Sequence, residues 1–394
     1  MSRTLLLACF LPFLAEAQEN ASALGNAPTA PQAAVETGAG GNVPLGAGLY
    51  SALGLSFGQQ ATTPAQTPAS RPTPTRTPAP PSPPTGEPRP TVEGSMIGYI
   101  ENAIPGSQIR IRIEAGFDMN LPDRAEFFYA KCGCYASNLK GTGNPAYDPN
   151  APGPGPGVVT KLNYQELYLH GEYGIGRRFS VFTDVPFRWI QPQAFVPGFG
   201  SFSNEAGLGD VQAGFKLAPL VSARRYLTFQ LKSYFRSGDG SRGLGTNHYS
   251  IEPALLYYQT VSRRAAVESQ AGIWHPMGGS VGVVSATSAQ PERFAGNVFF
   301  YGVGPSYVVY NGERIRIAPV IELVGWQVLG GFETVWSSAT RIGIPASGTD
   351  IVNLKFGVRT TIGVHSSVYA GYGRALTAAV WYSDIVRVEY RYAF

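Results

Sequence analysis

Period-two alternation runs through the segment DIVRVEYRYAF, with Val386, Val388, Tyr390, Tyr392 and Phe394 on one face and Arg387, Glu389 and Arg391 on the other. Successive side chains leave opposite faces of a pleated backbone, so this is a β-strand with one apolar and one charged face. As the edge of a soluble sheet, such a strand would invite pairing with other chains. A transmembrane barrel explains it better: the apolar face meets lipid, the charged face meets a wet lumen, and the closing aromatic sits at the interface.

The same alternation recurs upstream. Twelve strands are expected, at about 108–118, 162–173, 178–190, 208–218, 225–236, 248–259, 265–275, 296–309, 314–324, 351–364, 367–374 and 384–394. The odd connections are long or medium (119–161, 191–207, 237–247, 276–295, 325–350, 375–383), whereas the even ones are short turns such as GIGR, TVSRR, NGE and HS. Long outer loops alternating with tight periplasmic turns are the pattern of an outer-membrane barrel with both termini in the periplasm. After the first residues no stretch has about 18 consecutive apolar residues, so crossing a membrane would need a closed barrel. The 48 glycines, 21 Phe and 21 Tyr suit turns and aromatic girdles, and a net charge of only +4 argues against a nucleic-acid partner.

Arg3, the apolar run Thr4–Leu14 and the small-x-small stretch Ala15-Glu16-Ala17 read as a signal peptide over residues 1–17. Leu6-Leu7-Ala8-Cys9 partly matches a lipobox, but Cys9 lies too near the start to leave an apolar region before it. Residues 18–94 form an Ala/Gly-rich and then Pro-rich leader, with eleven prolines between Pro64 and Pro90. Such a run donates few backbone bonds and makes an extended, disordered spacer at about 3.1 Å per residue. It is a passive leader, a contact to peptidoglycan, or a segment that folds back as a lumen plug. Residues 95–394 then form the barrel.

Sorted by the same period, the strands present a mixed inner wall. Arg110, Arg112, Arg188, Lys216, Lys232, Arg236, Arg316, Lys355, Arg359, Arg387 and Arg391 stand with Glu114, Glu166, Glu172, Asp184, Asp210, Glu252, Glu268, Glu322, Glu389 and His170. Charges on a lipid face cost a few kcal/mol near the midplane, so these side chains must face the lumen. They are either selectivity rings of a polar conduit or neutralising pairs that fill a small lumen. Twelve strands fall between a filled and an open barrel, and a narrow or gated path is favoured over a wide pore. Arginines at the short turns, Arg177, Arg178, Arg224, Arg225, Arg263, Arg264 and Arg314, are either headgroup contacts or solvated turn residues.

Two stretches carry resemblances. Val386, Val388, Tyr390, Tyr392 and the final Phe394 resemble the assembly signal by which bacterial outer-membrane barrels engage the barrel-assembly machinery. Gly207-Leu208-Gly209-Asp210-Val211, followed by Gly214-Phe215-Lys216, resembles a strand of the outer-membrane transporters grouped with the MetA-pathway phenol-degradation proteins. That likeness spans about residues 160–394, while 95–160 depart from it. It implies a barrel in contact with outer-membrane lipids that passes small, often aromatic or apolar, solutes and has no catalytic residues. Gly209 and Gly214 are expected to allow close packing of neighbours, with Asp210 and Lys216 turned into the lumen.

Beyond Cys9 only Cys132 and Cys134 occur, as a local disulfide or a pair of free thiols, and no neighbouring residue completes a metal site. No cofactor is expected. Two other functions compete with a conduit. A lipid-hydrolysing barrel enzyme would use His275 with Ser280, although there is no G-x-S-x-G motif. A structural anchor would hold the cell wall through the Pro-rich leader.

Overall fold

The computed structural model describes residues 94–120, 159–195, 197, 201–278, 281–282, 292–293, 295–337 and 340–394. Expectations for the signal peptide, the leader up to residue 93, Cys132, Cys134 and Ser280 lie outside these residues.

Twelve long strands follow one another: β1 Gln108–Met119, β2 Val159–Ile175, β3 Phe179–Phe195, β4 Gln212–Val221, β5 Arg225–Tyr234, β6 Tyr249–Thr260, β7 Ala265–Met277, β8 Val298–Tyr307, β9 Ile315–Val328, β10 Asp350–Ile362, β11 Ser366–Ala375 and β12 Asp384–Ala393. Each pairs antiparallel with the next, and β12 pairs with β1 from Gln108↔Ala393 to Phe117↔Asp384. The sheet is therefore a closed barrel with no free edge, which satisfies the ladder bonds of every strand within the sheet. The connections at 176–178, 222–224, 261–264, 308–314 and 363–365 share one end, hereafter the short-turn end. At the other end, the loops carry two further hairpins, Val281–Gly282 with Glu292–Arg293 and Phe332–Ser337 with Thr340–Pro345.

Alternation decides which face each residue takes. Along β1, Ile109, Ile111 and Ile113 are 52, 42 and 46% exposed, while Arg110 and Glu114 are each 6% exposed. Leu255, Ile321, Phe356 and Val386 continue the apolar outer skin around the barrel. Tyr173, Tyr307, Tyr310, Tyr392 and Phe394 ring its short-turn end, and Phe187, Trp189, Phe235 and Tyr249 ring the other. An apolar band between two aromatic girdles is a surface built for lipid, with the amphipathic rings at headgroup level.

The fourth strand begins at Gln212 and not at 208. Residues Glu205–Leu208 pair with the far half of β3, and the chain then breaks from the ladder at Gly209-Asp210-Val211. The cause is local. The Asp210 carboxylate accepts from Gly238 N (3.0 Å), Thr246 N (2.8 Å) and Thr246 Oγ1 (2.8 Å), pinning the β5–β6 loop against the break. Gly214 has no room for a side chain, because a Cβ there would meet Leu231 O and the ring of Phe182.

Candidate functional site

The lumen is not empty. Residues 94–107 enter the barrel ahead of β1, with Ser95, Met96, Ile97, Ile100, Ala103 and Ile104 each at most 4% exposed. This lumen segment joins no strand, so its backbone groups need other partners inside the barrel. The wall supplies them, mostly from charged side chains. Glu322 on β9 accepts from three successive amides, Gly98 N (3.1 Å), Tyr99 N (2.9 Å) and Ile100 N (2.9 Å). Glu268 on β7 accepts from Met96 N (3.1 Å) and Ser95 Oγ (2.9 Å). Arginines take the carbonyls: Arg359 donates to Met96 O (3.2 Å) and Ile97 O (2.5 Å), Arg387 to Gly98 O (2.6 Å), and Arg391 to Ser95 O (3.3 Å). Thr228 on β5 donates to Ala103 O (2.5 Å). Gly98 fits because the Tyr369 ring lies flat over it and over Gly357 across the wall; a Cβ at either position would overlap that ring.

Most of the remaining wall charges pair with one another. Arg188 meets Glu166 (2.6 Å), Lys216 meets Glu172 (3.0 Å), and His170 Nδ1 lies 2.9 Å from Asp184. Arg387 holds Glu114, Arg112 lies 3.7 Å from Glu114, and Glu389 gathers Arg359 (2.8 Å), Arg391 (3.2 Å) and Arg110 (3.9 Å). Lys232 sits between Glu101 (3.0 Å) and Glu252 (3.5 Å). Of the residues expected in the lumen, Arg236 is the exception. It lies beyond the end of β5, exposed, with its guanidinium 5.3 Å from the ring centre of the outward Tyr249. The ladder stops at Tyr234, so alternation no longer dictates where residue 236 points. Arg316 is only half-buried and lines the short-turn mouth.

The lumen segment stands between two cavities. One of about 240 Å³ faces the long loops and is lined by Tyr99 and Glu101 of the segment together with Tyr164, Trp274, Phe300, Trp326, Trp381 and Tyr382. Val380, Trp381 and Tyr382 belong to the β11–β12 loop, which turns inward and buries all three. The other cavity, about 1020 Å³ at the short-turn end, has Gly94 and Met96 against it and is lined by Arg224, Arg263, Arg264, Arg314 and Arg316, with Glu313 as its carboxylate. Four of the seven short-turn arginines, Arg224, Arg263, Arg264 and Arg314, thus surround a mouth. Tyr99, Trp326, Trp381, Tyr382 and the lumen segment itself escaped the sequence reading. The available signals were the apolar run of SMIGYIENAI, which lies just ahead of β1 without alternating, and the aromatic pair of VWYS in a loop.

Glu101 carries a pH prediction. Burial pushes its carboxyl up, but Lys232 and Arg110, with Lys216 and Arg112 behind them, outweigh burial and hold it well below the usual carboxylate range. A depressed value in the docked state stabilises docking above the free carboxylate's value of about 4.3, and that contribution is lost as pH falls below it. The contribution of Glu101 to docking should therefore be complete at about pH 5 and above and be lost only in stronger acid. Amide protection factors over residues 95–104, which correct for the intrinsic pH dependence of exchange, should fall below about pH 4; protection unchanged down to about pH 3 would contradict the pairing.

His275, proposed above as a base, is exposed and bonds Asn297 through Nδ1 (2.7 Å). No protein-family model matches the sequence, and no curated protein does. Among solved structures, the chain is similar to an outer-membrane channel from Pseudomonas putida F1, at 13% identity over 74% of this chain and 96% of that one, with a TM-score of 0.46. It is similar also to the NanC porin (8% identity, 72% of this chain and 100% of that one, TM-score 0.37) and to a Pseudomonas aeruginosa FadL homologue (12%, 73% and 90%, TM-score 0.30). Likeness this distant transfers no residue roles, so the function of the lumen rests on this chain's own side chains.

Proposed function

We propose that the chain is an outer-membrane channel for the passive passage of small solutes, with the lumen segment as its constriction. One observation carries this: a closed, lipid-skinned barrel encloses cavities on both sides of a segment that joins no ladder and whose buried part, residues 95–104, is held to the wall by wall side chains. Such a segment can leave without unzipping the wall. The short-turn end lies in the periplasm, as tight turns do in barrels of this kind, and the long loops face outward. The rings around the upper cavity favour aromatic solutes, in keeping with the resemblance of Gly207–Lys216 to the phenol-pathway transporters.

The test is single-channel conductance in planar bilayers, comparing the refolded full chain with a chain beginning at Gln108. The full chain should give small or intermittent steps and the shortened one larger, sustained steps. Silence from both, with folding shown by heat-modifiable gel mobility, would overturn the conduit.

A further inference from the structure

We propose that the cavity above the lumen segment is a binding site for a small aromatic carboxylate, with the Lys355 ammonium as its anchor. The proposal rests on the lumen being a solute path and names what that path accepts.

The carboxylates lining this cavity are already engaged. Glu101 and Glu252 share Lys232 (3.0 and 3.5 Å), Glu166 holds Arg188 (2.6 Å), Glu114 holds Arg387, and Asp210 is taken by the amides of Gly238 and Thr246. Its bases are matched in turn, with one exception. Lys355 is 3% exposed, and among the described residues it has no carboxylate within salt-bridge distance. Its cross-strand neighbour is Glu322, but that carboxylate is turned to the amides of Gly98, Tyr99 and Ile100. Instead, Nζ lies 4.0 Å from the ring centre of Tyr99, 5.3 Å from that of Tyr382 and 5.5 Å from that of Trp326.

Ring faces offset part of the cost of desolvating an ammonium, but they supply no counter-charge. A ligand carboxylate would supply it. Tyr99 adds a second polar group, since its hydroxyl is buried without a hydrogen-bond partner among the described residues and its O–H can donate to the same carboxylate. The walls select the rest of the ligand. Trp274, Phe300, Trp326 and Trp381 offer aromatic faces, and about 240 Å³ is less than the ~300–1,000 Å³ of sites for drug-sized ligands. That space suits a single ring. An amine is disfavoured, because Lys355 already occupies the cation's place among the rings. The arginine-lined mouth at the other end, with five arginines to one glutamate, raises the local concentration of anions on the same path.

The test uses the full chain refolded in detergent micelles, titrated with benzoate, benzyl alcohol and benzylamine by calorimetry and tryptophan fluorescence. Benzoate should bind saturably and at least about tenfold more tightly than the other two. Lys355→Met should lose that preference, and Lys355→Arg should keep much of it, both with unchanged heat-modifiable mobility. Equal binding of benzyl alcohol and benzoate by the natural chain would overturn the site without recourse to any variant, as would full benzoate affinity in folded Lys355→Met. Conductance on the same preparation separates the two proposals. Benzoate binding by a silent protein supports the site and overturns the conduit, whereas conductance without benzoate binding overturns the site alone.

Discussion

Replacing Glu322 with alanine is expected to release the lumen segment while leaving the barrel closed. This one carboxylate accepts three consecutive backbone amides of the segment and the Tyr369 hydroxyl (3.2 Å). Hydrogen bonds to a charged group contribute about 1.5–3 kcal/mol each, and removing the acceptor leaves three amides unpaired in the lumen. A loss of about 3–5 kcal/mol is expected, enough to shift docking by two to four orders of magnitude. The β9 ladder is made by main-chain bonds and does not depend on that side chain. The lumen segment has no Lys or Arg but contains Glu101, so a glutamate-specific protease reports its release. In the natural chain Glu101 should be protected, and in Glu322→Ala it should be cut while the heat-modifiable gel shift persists. Continued protection in the variant would mean that the arginine contacts to the carbonyls suffice.

Neutralising Glu389 is expected to weaken the closure of the barrel itself. Glu389 lies on β12 at the seam with β1, 1% exposed, within reach of Arg359, Arg391 and Arg110. Arg110 and Arg391 stand directly opposite each other across that seam, a like-charge pair that this carboxylate offsets. Glu389→Gln keeps the shape and leaves three guanidiniums with no shared counter-ion, at a cost of about 3–5 kcal/mol. The temperature at which the folded gel band is lost should fall. Adding Arg391→Met should recover part of the loss, because removing both members of a buried pair is milder than removing one. An unchanged transition in the single variant would show that water already screens the network.

Strand positions were legible in the sequence to within a few residues, because each strand's alternation is its own property. The break before β4 was not, since it depends on Asp210 capturing the amides of Gly238 and Thr246 on a loop that follows the next strand. Arg236 was misplaced for a related reason: nothing in its immediate sequence marks that the ladder ends at Tyr234. Among the inner charges, the alternation indicates which residues face inward but not what each one meets there.

Two kinds of information therefore divide this protein. Its sequence alone determined a barrel of antiparallel strands with an apolar outside, a charged inside and alternating short and long connections, because side-chain period and turn length act over a few neighbouring residues. Only the tertiary structure decided what fills the lumen. Glu322 reaches amides more than 200 positions earlier, with sequence separations of 222 to 224, and Arg387 reaches a carbonyl 289 positions away. Closing the sheet brings those groups together, and with them the aromatic cavity around Lys355.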